Sequence, residues 1–178
     1  FFNKEIFPAV WNKLFRSELY KKYKISHPVG ISVGEDLATT PLLAQYSAKI
    51  GKINKAYIHY IQNPKGLTKS VPTFKIYELI KAFEILKSNL NIKVDTKLKE
   101  LDSLGILIFN PNYNPNDIYY KQAIEYYLKL LTKTSNLKKI SLKLRIPLKI
   151  LKLFPRIKTL EVLQLLNKIN IFYRNLKF

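Results

Sequence analysis

Ala9-Val10-Trp11-Asn12-Lys13-Leu14-Phe15-Arg16, followed by Gly34-Glu35-Asp36-Leu37 and then by Tyr57-Ile58-His59-Tyr60-Ile61-Gln62-Asn63, is the part of this chain whose reading decides its fold. Around the first of these runs, the apolar positions Phe7, Val10, Trp11, Leu14, Phe15 and Leu19 recur at spacings of three and four. That period predicts an amphipathic helix over Phe7–Tyr23, with Pro8 suited to its first turn. His27-Pro28-Val29-Gly30 then breaks the helix, because the residue before a proline avoids helical dihedrals and glycine tolerates a turn.

The second run opens another helix. Asp36 is a natural N-cap for a helix towards Ile50, Pro41 inside it predicts a kink or a late start, and Gly51 closes it. Ile53–Ile61, with Tyr57, Ile58, Tyr60 and Ile61, reads as a short strand near 53–62, and Asn63-Pro64-Lys65-Gly66 as the turn that ends it.

Beyond Pro72 the pattern turns helical. Thr73 caps a stripe of Ile76, Leu79, Ile80, Phe83 and Leu86. Helices are expected at Asp95–Leu104 and Asp117–Leu131, each opened by an aspartate whose charge suits a helix N-terminus. Asn110-Pro111-Asn112-Tyr113-Asn114-Pro115-Asn116 separates them as a loop. Pro147 and Pro155 divide the remaining Leu-, Ile- and Lys-rich segment into two or three short helices.

Composition limits the function classes. At 178 residues and 47% hydrophobic, the chain can bury a core. The absence of cysteine excludes a disulfide framework and a thiolate metal site, and is consistent with a reducing compartment, the cytoplasm by default. No apolar run approaches the roughly 20 residues of a membrane-spanning helix. Methionine is absent even at position 1, so a segment upstream of Phe1 is expected. The net charge of +19 favours an anionic partner, although a nucleotide-composition bias accounts for abundant Lys, Ile, Asn and Tyr equally well. Residues 1–70 carry 11 basic and 4 acidic side chains, 71–136 carry 9 and 7, and 137–178 carry 11 and 1. The middle is nearly neutral and the tail strongly basic.

The order Trp-Asn-Lys-Leu-Phe-Arg, Glu-Asp, Tyr-Ile-His-Tyr-Ile-Gln and Gly66-Leu67-Thr68 resembles the latter half of bacterial family 2 glycosyltransferases that build capsules and lipopolysaccharide. The likeness spans residues 3–70. It implies an α/β fold of the GT-A type, of which this fragment, predominantly α-helical, is the C-terminal part: residues 1–70 complete a catalytic domain and 71–178 form a helical extension with a basic tail over 137–178. It also implies an inverting transfer of a sugar from a nucleotide-diphosphate sugar donor to a glycan or lipid-linked acceptor. Two positions depart from the family pattern: its arginine after Tyr-x-Tyr is Ile61 here, and its serine before Leu-Thr is Gly66. No Asp-x-Asp motif occurs.

The resemblance makes Asp36 the general base, with Glu35 beside it fixing the loop or the acceptor. Without the flanking motifs, Asp36 reads as a helix cap. Trp11 reads as a core residue that also suits stacking on a sugar ring. In the family, the segment of Asn12 and Lys13 lies near donor and acceptor, where an amide can hold hydroxyls and an ammonium can balance diphosphate charge. For Lys13 a solvated face fits as well. The resemblance also suggests His59 as a ligand to Mg²⁺ or Mn²⁺, against the plainer reading of a packed strand residue, with the main ligands upstream of Phe1.

Two other readings remain. The tail alternates Lys or Arg with Leu, Ile and Phe, as in Lys149-Ile150-Leu151-Lys152, and suits either an anionic membrane surface, making the protein peripheral on the inner face of the cytoplasmic membrane, or a solvated basic surface. The alternative to an enzyme is a non-catalytic basic helical module that binds nucleic acid or such a membrane. The absence of any helix-turn-helix, zinc or RNA-binding motif weighs against nucleic acid.

Overall fold

The structure is a computed structural model of the chain. It describes residues 6–61, 63, 66, 72–91, 93–108, 113–114, 116–135, 137–138 and 148–149. Among the described residues five α-helices run in the order α1 Ser17–Lys22, α2 Glu35–Gln45, α3 Phe74–Asn89, α4 Lys97–Ile108 and α5 Ile118–Thr132. The chain divides into two compact units, Phe1–Val94 and Asp95–Phe178. α3 packs with α2 in the first unit.

In the first unit, α2 and α3 pack through Leu37, Ala38, Leu42 and Leu43 on one side and Ile76, Leu79, Ile80, Phe83 and Leu86 on the other, all buried. The α3 stripe is the one the sequence pattern marks. Burying a side chain of this size stabilises by about 1.5–3 kcal/mol. At their C-terminal ends the two helices are laced together. Gln45 accepts from the Asn91 N–H at 2.7 Å, and the hydroxyl of Tyr46, whose ring stacks on Tyr23 at 3.8 Å, accepts from the Asn91 amide at 2.9 Å.

Thr73 does not cap α3; its own dihedrals are helical and its side chain makes no capping bond. Nor does Asp36 cap α2. That helix starts at Glu35 behind a left-handed Gly34, with Ala38 N–H donating to the Gly34 carbonyl, and it ends at Gln45, five residues before the expected Ile50. It runs through Pro41, whose missing N–H leaves one rung of the ladder unmade.

The first run differs most from expectation. Only Ser17–Lys22 is helical, and Leu14, on the expected apolar stripe, is 99% exposed. The backbone groups that a helix needs are committed elsewhere. The Val10 N–H goes to Asp36, and the carbonyls of Phe7 and Ala9 both accept from the Lys13 ammonium. The expected strand over 53–62 is likewise not formed. Residues 52–61 are irregular and exposed, and no strand occurs among the described residues. A strand is stable only with neighbours that pair its backbone, and the period-2 pattern cannot supply them.

In the second unit, α4 and α5 bury Leu101, Leu104 and Ile108 against Tyr120, Ile124, Tyr127 and Leu131. Asp117 caps α5 as expected, its side chain accepting from the N–H groups of Tyr119 and Tyr120 at 2.8 and 3.1 Å. Asp95 lies just ahead of α4 and accepts from the Lys97 N–H at 3.1 Å. Glu100 is fully buried and satisfied by the hydroxyls of Thr96 and Tyr126 at 2.6 and 2.8 Å. No helix among the described residues is long and apolar enough to cross a membrane. The basic tail expected over 137–178 and its short helices lie almost wholly outside the described residues.

Candidate functional site

Asp36 sits in the first turn of α2, where a carboxylate is favoured by the N-terminal end of the helix dipole. Its Oδ2 accepts from the backbone N–H of Val10 at 3.1 Å. No described group donates to its other oxygen. The side chain is half-buried, neither sealed in the core nor free in solvent.

Two further groups lie within its electrostatic reach. Lys13 is held below its ordinary pKa by burial, an effect partly offset by the Asp36 charge. The Tyr20 hydroxyl, on α1, is raised by burial and then by the same carboxylate. Tyr20 also packs edge-on against Phe15 at 6.2 Å and near His27 at 6.5 Å, and the His27 ring nitrogen Nδ1 lies 3.3 Å from the Thr39 hydroxyl.

Lys13 does something the sequence did not indicate. Its ammonium donates to the carbonyls of Phe7 at 2.5 Å and Ala9 at 2.6 Å and to Oδ1 of Asn12 at 2.7 Å. An ammonium has three N–H donors, so all three are engaged within its own loop. Lys13 is therefore a staple of the segment that presents Val10 to Asp36, and Asn12 is one of its anchors.

Trp11 is 45% exposed and so not a core residue. Its ring lies 4.8 Å from that of Tyr60, tilted by 31°, and Tyr60 is itself 57% exposed. Glu35 is half-buried beside Asp36, and its backbone carbonyl accepts from the Thr39 hydroxyl at 2.9 Å. His59 is exposed on the irregular segment, and among the described residues no three metal-ligating side chains come together. The described residues do not compose a divalent-metal site.

Three runs far apart in sequence thus meet. Val10 reaches Asp36, and Trp11, the next residue, packs its ring against that of Tyr60. The loop before Asp36 is fixed from the other side by α3. Oε2 of Glu78 accepts from the Ser32 N–H at 2.8 Å, the Ser32 hydroxyl at 2.9 Å and the Val33 N–H at 3.2 Å. Gly34 is then pressed onto α3 so closely that a Cβ there would lie 2.8 Å from Leu79 Cδ1 and 2.9 Å from Ala82 Cβ. Sequence reasoning missed Tyr20 and Glu78. Only the helical stripe that buries Leu79 hints that position 78 borders the same face.

No protein-family model matches the chain, and no curated protein or solved structure is significantly similar to it.

Proposed function

We propose that the complete protein transfers a sugar from a nucleotide-diphosphate sugar to a glycan or lipid-linked acceptor with inversion, and that Asp36 is the general base. The observation that carries this reading is the Val10–Asp36 hydrogen bond, joined to the Trp11–Tyr60 ring pair. It draws the three resembling runs into one place around a carboxylate.

With Oδ2 engaged by Val10, the other oxygen of Asp36 takes the proton of the acceptor hydroxyl as the hydroxyl oxygen bonds to the anomeric carbon, while the bond from that carbon to the diphosphate breaks on the opposite face and the nucleoside diphosphate leaves. Positioned proton transfer of this kind contributes about 10²–10⁴-fold. The exposed faces of Trp11 and Tyr60 offer an apolar platform on which an acceptor sugar ring stacks. In this proposal the described residues supply the base and the acceptor platform, and not the site of the donor's nucleotide.

The test is a panel of nucleotide-diphosphate sugars offered to the complete protein with glycan and lipid-linked acceptors. Release of nucleoside diphosphate together with a product of opposite anomeric configuration supports the proposal. Retained configuration overturns the inverting course and with it Asp36 as the base; no turnover with any pair while the protein binds nucleic acid in a salt-dependent gel shift argues for the basic-module alternative.

A further inference from the structure

Glu78 lies on α3, outside the residues that carry the resemblance, yet it reaches back 46 positions to the loop in front of Asp36. One carboxylate oxygen receives three donors, two of them consecutive backbone N–H groups, Ser32 and Val33. Bonds to an ionised acceptor are roughly twice as strong as neutral ones, and two adjacent amides fix the direction of the chain as well as its position. The next residue, Gly34, adopts φ +93° and sits against Leu79 and Ala82, one and four positions beyond Glu78 on the same helix. α3 therefore holds the loop by charge at Ser32–Val33 and by contact at Gly34. The first turn of α2, and with it Asp36, begins at the very next residue.

From this we infer that Glu78 is a positioning residue for the transfer reaction: it sets where the Asp36 carboxylate stands relative to the acceptor hydroxyl, without touching either substrate. The inference rests on the reading of Asp36 as the base. Misplacement of a reacting group by about 1 Å lowers turnover about 10²-fold. Loss of the clamp thus acts on kcat, and leaves the KM values of donor and acceptor nearly unchanged.

The experiment compares Glu78→Ala, Glu78→Gln, Ser32→Ala and Asp36→Asn in the complete protein, with kcat and KM measured for each. Amide hydrogen exchange at Ser32 and Val33 is followed in parallel and reads the clamp without any turnover. Glu78→Ala is expected to lower kcat about 10- to 100-fold and to speed exchange at both amides. Glu78→Gln keeps a carbonyl oxygen for the two N–H groups and is expected to restore most of the lost rate, and Ser32→Ala, lacking one donor of three, to fall between. Should Glu78→Ala fail to fold, Ser32→Ala carries the test. Wild-type kcat in whichever of these two folds, together with an inactive Asp36→Asn, overturns the positioning role and leaves the base assignment standing. Full turnover in Asp36→Asn removes the base assignment and the positioning role with it.

Discussion

The backbone N–H of Val10 donates to Oδ2 of Asp36 at 3.1 Å, across 26 residues of chain. This single bond ties a loop that carries the only tryptophan to the first turn of α2. The carbonyls of Phe7 and Ala9, which a helix over Phe7–Tyr23 would offer to N–H groups four residues on, receive the Lys13 ammonium instead.

Gly34→Ala is the sharpest stability test of this arrangement. The left-handed conformation costs an alanine about 1–2 kcal/mol, and overlap with Leu79 and the helical Cβ of Ala82 adds about 1–3 kcal/mol. A loss of roughly 2–5 kcal/mol in urea unfolding of the first unit is expected. A change below about 0.5 kcal/mol means that the loop does not pack on α3 as described.

Lys13→Ala removes all three donors of the staple at once. Hydrogen bonds from a charged group contribute about 1.5–3 kcal/mol when well buried, and this ammonium is only half-buried, so a net loss of about 1–2 kcal/mol is expected. The fluorescence of Trp11 should shift in the same variant, because the staple holds the loop that carries it. An unaltered emission spectrum would mean that the Trp11–Tyr60 contact does not depend on Lys13.

Tyr127 gives the second unit a pH dependence. Its hydroxyl is pushed well above the ordinary tyrosine value of 10.0, by burial first and then by the Asp102 charge. A group whose folded pKa is raised stabilises fully below its unfolded pKa and loses that contribution as pH rises beyond it. The unfolding free energy of the second unit is therefore expected to fall as pH climbs past 10.0, and Tyr127→Phe to flatten the fall. Denaturant titrations in steps from about pH 9 to 11 check both. An equally steep decline in the phenylalanine variant would assign the effect to other groups.

What could be read from the sequence was local. The apolar stripe of α3 and the Asp117 cap of α5 were legible because each depends on residues a turn or less apart. The order of the three runs singled out Asp36, Trp11 and their neighbours. Their partners were not legible, since Val10 meets Asp36 across 26 positions and Ser32 meets Glu78 across 46, and no periodicity encodes such pairs. Lys13 was left open, since the resemblance put an ammonium near the diphosphate and a solvated face fitted as well; its three oxygen acceptors come from a loop that looked like a helix. The segment over 53–62 has strand-forming residues, but the described chain brings it no pairing neighbour.

The most direct measurement is turnover by the Asp36→Asn variant of the complete protein, with donor binding followed separately. Asparagine keeps an oxygen for the Val10 N–H but cannot take a proton, so the account predicts a fall in kcat of about 10²–10⁴-fold with donor affinity and unfolding midpoint close to those of the parent. Turnover within a few-fold of the parent would contradict it.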